Sequence, residues 1–177
     1  MIKPIQIILL AHEREVERPT NTGQLALQAY PEYCQRVVWS RVHPDVSLVR
    51  LLENGQAALL FPDSEDTQAL KVSIDELEDN QRGVSDKALP DVIVILDATW
   101  QEARKMCRRS EYLKKAMKYA LPTSSMVDNP SQFTLRRNQV EGGFCTVECI
   151  QQLFSLNQMH EEAAALMQKF KDFNQRL

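Results

Sequence analysis

The sequence lacks the long apolar runs that mark membrane-spanning or secreted proteins. No apolar run among its 177 residues approaches the roughly 20 residues that a membrane-spanning helix needs. The first residues, Met1-Ile2-Lys3-Pro4, lead into a short strand pattern instead of the apolar core of a signal peptide. We therefore expect a cytoplasmic protein that does not bind a membrane.

The sequence also lacks cysteine pairs, since Cys34, Cys107, Cys145 and Cys149 form no C-x-x-C motif. Reduced and mostly buried thiols are what this spacing predicts for a cytoplasmic protein. A zinc site that joins some of these thiols to His12 or His43 is the alternative, and we expect no metal. Internal repeats, linkers and low-complexity tracts are absent too, which predicts one domain over residues 1–177.

The net charge of −3 hides two regions of opposite sign. Residues 63–91 carry nine acids against three bases, whereas residues 101–118 carry seven bases against two acids. A basic stretch of this kind can hold a polyanion, although a solvated helix face has the same composition.

Apolar runs alternate with helical patterns in the first half of the chain, which predicts an α/β fold with a mostly parallel sheet flanked by helices. The predicted strands cover residues 5–10, 36–42, 57–61 and 92–96, and the predicted helices cover residues 23–30 and 46–53. The acidic residues 73–91 form a helix or a loop after a helical turn that begins at Ser64.

The pattern becomes less regular after the fourth strand. Basic helices are predicted over residues 99–109 and 111–119, a strand or strand-like loop over 121–127, and an extended segment over 133–137. A helix then begins near Thr146, and a long amphipathic helix over about 156–173 closes the chain.

The stretch Asp97-Ala98-Thr99-Trp100 directly follows the apolar strand Val92 to Leu96 and opens a charged helix. The carboxyl ends of parallel strands are where open α/β proteins place their ligand sites, so an acid, a hydroxyl and an indole here predict a functional edge. The alternative is that Asp97 or Thr99 only caps the helix by accepting a backbone N–H.

Three ordered patches resemble the DTW-domain family of tRNA-uridine aminocarboxypropyltransferases. They are Arg18 to Gly23, Leu96 to Met106, and Phe133 to Arg137 followed by Cys145 to Cys149. The resemblance covers nearly the whole chain. It implies a SPOUT-like domain with a C-terminal trefoil knot. It also implies transfer of the 3-amino-3-carboxypropyl group of S-adenosylmethionine to N3 of a tRNA uridine, with release of methylthioadenosine.

The resemblance implies catalytic roles for Asp97, Thr99 and Trp100. Asp97 would bind the donor ammonium or accept the uracil N3 proton. Trp100 and Ala103, three residues apart on one helix face, would cover the donor methyl group, and the indole would face the sulfonium charge. An ordinary core aromatic is the alternative role for Trp100.

The resemblance also implies where the donor, S-adenosylmethionine, binds. Its carboxylate is expected at the helix start formed by Thr20, Asn21, Thr22 and Gly23. Its adenosine is expected against the late region, at Leu121, Pro122, Phe133, Leu135, Thr146 and Glu148. The alternative for Glu148 is a capping acid in the first turn of a helix.

The tRNA partner is expected to contact basic side chains around this edge, namely Arg18, Arg104, Lys105, Arg108, Arg109, Arg136 and Arg137. N3 is occupied in a base pair, so the target uridine must be unpaired or flipped out. A SPOUT-like RNA methyltransferase and a noncatalytic RNA-binding module remain alternatives, and ribosomal RNA remains an alternative acceptor. The oligomeric state stays open.

Overall fold

The computed structural model describes residues 3–60, 89–121 and 145–176. Within these ranges the chain forms five strands, β1 (Gln6–Ala11), β2 (Cys34–Val38), β3 (Ala57–Leu60), β4 (Val92–Asp97) and β5 (Lys118–Tyr119). They form one parallel sheet in the order β2-β1-β4-β3-β5. The three interior strands β1, β4 and β3 are apolar, because a strand covered on both faces must bury nearly every side chain.

Helices cover both faces of this sheet, as the alternation of strands and helices predicts. They are α1 (Gly23–Ala29), α2 (Val46–Glu53), α3 (Trp100–Arg108), α4 (Glu111–Lys115), α5 (Thr146–Leu156) and α6 (His160–Arg176), with a 3₁₀ turn at Glu13–Glu15. In the described ranges, none of the helices combines the length and apolarity that a bilayer crossing needs.

Two apolar clusters fill the layers between the sheet and the helices. The first cluster lies under α1, α5 and α6 and contains Ala26, Phe154 and Phe170. The second lies under α2, α3 and α4 and contains Leu48 and Met106. Successive residues of β4 alternate between the clusters, because strand side chains point to opposite faces of a sheet.

The prediction of an α/β fold with a parallel sheet is confirmed, but three element boundaries were wrong. The second strand runs from Cys34 to Val38 instead of over 36–42, because its partner β1 ends at Ala11, which accepts the last ladder hydrogen bond from the Trp39 N–H. The helix predicted over 111–119 ends at Lys115, because Lys118 and Tyr119 pair with β3 instead. The last helix, predicted from about residue 156, begins at His160, because the preceding helix ends at Leu156 and Gln158 between them has a positive φ of 61°.

Several predictions fall on residues outside the described ranges. They are the helical turn at Ser64, most of the acidic region 73–91, nearly all of the strand 121–127 and the extended segment 133–137. SPOUT-like identity and a C-terminal knot also stay predictions, since residues 122–144 lie outside these ranges.

Candidate functional site

The strands β1 and β4 are neighbours, yet the chain leaves their carboxyl ends in opposite directions. After β1 it passes to α1 on the face of the first cluster, and after β4 it passes to α3 on the face of the second cluster. Such a divergence opens a crevice at the carboxyl edge of a parallel sheet, where α/β proteins bind ligands. Asp97, the last residue of β4, lies at this point.

The carboxylate of Asp97 joins two segments that are distant in the chain. Asn21 Nδ2 donates to Oδ1 at 3.0 Å and to Oδ2 at 2.9 Å, and the Thr146 hydroxyl donates to Oδ1 at 2.9 Å. Asp97 is only 1% exposed. It therefore does not serve as the cap of α3; it connects β4 to the starts of α1 and α5.

Two charged residues that sequence reasoning missed complete this polar cluster. The fully buried Glu15 accepts from Asn21 Nδ2 at 2.8 Å, and Arg36 Nη2 lies 3.9 Å from Asp97 Oδ2. The sequence did carry a signal for Arg36. Arg36 follows the buried Cys34 by two residues in β2, so both side chains lie on the same face of the strand. Glu15 had no such signal, since it lies in a polar loop that looks exposed.

Burial is the main influence on the ionisation of Asp97, and it raises the pKa of the carboxyl group. The hydrogen bonds from Asn21 and Thr146 lower this pKa and so oppose the effect; the charge of Glu15 raises it, and that of Arg36 lowers it. A carboxyl group with a raised pKa is a stronger base once it is ionised.

The structure assigns Thr99 the capping role. Its hydroxyl accepts from the Glu102 N–H at 3.3 Å, and Glu102 Oε2 accepts from the Thr99 N–H at 2.9 Å. This reciprocal pair is a capping box, which stabilises the first turn of α3. A catalytic role for Thr99 stays a prediction.

Arg18 is engaged inside the protein rather than held free for RNA phosphate. Its guanidinium pairs with Glu15 and with Glu102 Oε1, the latter at 3.1 Å. Partial burial opposes ionisation of Glu102, but hydrogen bonds from Thr99 and Arg18 outweigh it and lower the pKa of that carboxyl. The loop before α1 is thereby tied to the start of α3.

Trp100 is half-buried, as is Ala103 one turn later on α3. The indole packs partly against the second cluster, whereas Asp97 hydrogen-bonds to α1 and α5 elements on the face of the first cluster. The two motif residues thus flank the sheet edge from its two faces. Trp100 is therefore only partly buried.

The segment from Thr20 to Gly23 packs against the start of α5. The buried Thr22 hydroxyl accepts from the Val147 N–H at 3.2 Å, so it already has a structural partner, while Thr20 is half-buried. Glu148 is buried and accepts from the Cys145 N–H at 3.1 Å, which agrees with its alternative role as a capping acid. Leu121 is buried in the first cluster.

The four basic residues predicted on the third helix, Arg104, Lys105, Arg108 and Arg109, are all exposed. Arg108 follows Arg104 by four residues and Lys105 by three, so the three side chains form one stripe along α3, away from its buried Met106 and Cys107. The stripe begins one turn after Trp100, close to the crevice at the sheet edge.

The family model of the DTW domain matches residues 1–177, the whole chain. The chain belongs to the DTW-domain family. This family is linked to tRNA modification. No solved structure matches the chain.

The DTW domain includes predicted site residues that lie outside the described ranges, namely Pro122, Phe133, Leu135, Arg136 and Arg137. Their placement in an adenosine pocket or against RNA stays a prediction.

All four cysteines of the DTW domain are free thiols, and each is buried or half-buried. Burial raises the pKa of Cys34 to about 12 and that of Cys107 to about 11, so both are protonated at neutral pH. Within residues 3–60, 89–121 and 145–176, no three His, Cys, Asp or Glu side chains are grouped so that they can hold a metal ion.

Proposed function

We propose that this DTW domain transfers the 3-amino-3-carboxypropyl group of S-adenosylmethionine to N3 of a tRNA uridine. The main support is the buried carboxylate of Asp97 at the crevice between β1 and β4, held by Asn21 and Thr146. All three residues belong to the segments on which the family resemblance rests, and a family model linked to tRNA modification covers the chain.

The residues at the crevice suit the charges of the donor. S-adenosylmethionine carries a sulfonium, an ammonium and a carboxylate. The half-buried indole of Trp100 would offer its ring face to the sulfonium cation. Arg36 Nη2 lies 3.9 Å from Asp97 Oδ2, so Arg36 offers a cation to the donor carboxylate, while Asp97 is kept for the uracil proton. The buried Nε of Arg36 has no hydrogen-bond partner in the described part of the chain. The charged and aromatic side chains at this sheet edge therefore fit the amino-acid end and the sulfonium of S-adenosylmethionine.

The bound donor supplies a sulfonium that makes its attached carbons electrophilic. Trp100 and Ala103 would shield the methyl carbon, so that the aminocarboxypropyl chain is the one presented to the uracil. Asp97 accepts the N3 proton as the N3–C bond forms and the C–S bond breaks, and methylthioadenosine leaves with the electron pair on its sulfur. Its raised pKa suits this role as general base.

Access to Asp97 requires a rearrangement, because the residue is 1% exposed. A carboxylate has about four acceptor positions, and Asn21 and Thr146 supply three contacts. One acceptor position of the Asp97 carboxylate is thus left for the uracil N–H once the residues that bury Asp97 have moved. Thr146 is the partner that can turn away, because a hydroxyl rotates freely and Thr146 lies on a separate helix.

The basic stripe of Arg104, Lys105 and Arg108 is proposed as the contact for tRNA phosphates. It is exposed, and it begins one turn after Trp100. Arg18 is left out of this surface because Glu15 and Glu102 neutralise it. The bound RNA would present an unpaired uridine to the sheet edge.

The test is to incubate the protein with unmodified tRNA and S-adenosylmethionine and to weigh the nucleosides and the small products by mass spectrometry. Aminocarboxypropyluridine together with methylthioadenosine is the expected result. Methyluridine with S-adenosylhomocysteine would instead show a methyltransferase. Salt-dependent tRNA binding without any product would show an RNA-binding module.

A further inference from the structure

One side-chain nitrogen, Asn21 Nδ2, lies between two buried carboxylates. It is 2.8 Å from Glu15 Oε2 and 2.9 Å from Asp97 Oδ2. Asn21 itself is 1% exposed and Glu15 is fully buried. The charge of Glu15 this close opposes ionisation of Asp97, unless donors between the two stabilise the charged form.

The orientation of the Asn21 amide is set from its other end. Its Oδ1 accepts from the Gln24 N–H at 3.0 Å and from Arg36 Nη2 at 3.1 Å. Both partners are donors, so the oxygen must face them and the NH₂ group must face the carboxylates. One of its two hydrogens can serve Glu15 and the other Asp97.

We infer that Asn21 is a positioning residue, which holds the carboxylate of Asp97 in the orientation and charge state needed to accept a proton. This inference rests on the proposed function, because it assigns Asn21 a task in that reaction. It differs from a purely structural role in one respect. The amide must act on the proton affinity of Asp97 as well as on its position.

The charged and polar groups around Asp97 determine how the loss of the Asn21 amide would change the pKa of Asp97. They are Glu15 from the 3₁₀ turn, Arg36 from β2 and Thr146 from α5; Arg18 and Glu102 pair with one another just beyond Glu15. Glu15 raises the pKa of Asp97, whereas Asn21 lowers it. Removal of the amide donor therefore raises this pKa further, and the acid limb of a base-catalysed reaction moves to higher pH.

Asn21→Asp is the first test, because it keeps an oxygen for Gln24 and Arg36 and removes the donor group. It also adds a carboxyl group beside Glu15 and Asp97, so both changes act to raise the pKa of Asp97. We expect kcat to fall roughly tenfold to a hundredfold, as small displacements of a catalytic group do. The acid limb of the kcat profile should move to higher pH, while the KM for tRNA stays near that of the wild type. Asn157→Asp is the matched control, since Asn157 Nδ2 donates to the Lys3 carbonyl at 3.1 Å, at the amino edge of the sheet.

The outcomes separate the inference from the function on which it rests. If the wild type transfers no aminocarboxypropyl group, the proposed function fails and the inference falls with it. If the wild type is active and Asn21→Asp keeps its kcat and acid limb, only the role of Asn21 is refuted. Asn21→Ser is the second variant, and failure of both to fold would also overturn the inference, because Asn21 would then hold the fold rather than the reaction.

Discussion

The Thr146 hydroxyl donates to Asp97 Oδ1 at 2.9 Å, across 49 residues of chain. This bond places the start of α5 over the carboxyl end of β4. The same carboxylate is bound from the other side by Asn21, 76 residues before it. One buried acid thus collects the three segments that carry the family resemblance, which makes it the first residue to test.

Asp97→Asn should abolish transfer and leave the protein folded. Loss of a general base lowers kcat by about 10² to 10⁴, and the amide keeps an oxygen that can accept from Thr146. Product formation by mass spectrometry and the far-UV circular dichroism spectrum measure the two effects. A folded variant that binds donor and modifies tRNA at the normal rate would exclude Asp97 as the proton acceptor.

The stability of the wild type should fall, relative to Asp97→Asn, as the pH rises above about 4. Burial raises the pKa of Asp97 in the folded state, so between the unfolded and folded values the folded protein holds a proton that the unfolded chain has released. Above the pKa of Asp97 in the folded state, the difference in the free energy of unfolding between the wild type and Asp97→Asn becomes constant. Urea unfolding from about pH 3 to about pH 8 measures this difference in the free energy of unfolding.

Glu102→Gln serves as the control in the same urea unfolding experiments, because the pH dependence that it removes has the opposite sign. The pKa of Glu102 is lowered by its partners, so its contribution to the free energy of unfolding is present above the unfolded pKa and is lost as the pH falls. If the free energies of unfolding of the wild type and Asp97→Asn differed by the same amount at every pH, the raised pKa of Asp97 would be contradicted.

Gly23→Ala should destabilise the protein by about 1–3 kcal/mol through overpacking. A Cβ at Gly23 would lie 2.9 Å from Leu9 Cδ1, 3.0 Å from Asp97 Oδ2 and 3.2 Å from Thr146 Cγ2. Because two of these atoms belong to the Asp97 cluster, transfer activity should fall as well. Urea unfolding and the transfer assay are the measurements.

Gly55→Ala is the comparison for Gly23. Gly55 has a positive φ of 71°, and its added Cβ would have open space, with Met117 Cε at 3.9 Å. The left-handed backbone costs about 1–2 kcal/mol for an L residue, so stability should fall without loss of activity per folded molecule. Equal losses of activity in both variants would show that the close packing at Gly23 is not specific to the site.

The basic residues of α3 and Arg18 should behave differently toward tRNA. Arg104→Gln and Arg108→Gln should each weaken tRNA binding and reduce the dependence of log K on log salt, by about 0.7–0.9 for each phosphate that is no longer neutralised. Arg18→Gln should instead lower stability, because it removes an ion-pair partner of the buried Glu15. Binding titrations at several salt concentrations and urea unfolding distinguish the two. A salt slope reduced by Arg18→Gln alone would return Arg18 to the RNA surface.

The sequence by itself determined the class of fold and the segments of the site. The apolar run of β4 predicts a buried central strand, and the polar residues after it predict a ligand edge, because both follow from local patterns of hydrophobicity. The helix at Val46–Glu53 has the bounds that its periodicity predicts. Family resemblance added the early and late segments, Thr20 to Gly23 and Cys145 to Cys149.

Only the tertiary structure decided which of these polar side chains share a site and which are neutralised. Glu15 and Arg36 join Asp97, Arg18 pairs inside the protein, and Thr99 caps α3. The physical reason is that a hydrogen bond or an ion pair depends on distances of a few ångströms between atoms that lie far apart in the chain. No local pattern records those distances, because strand order and helix packing set them.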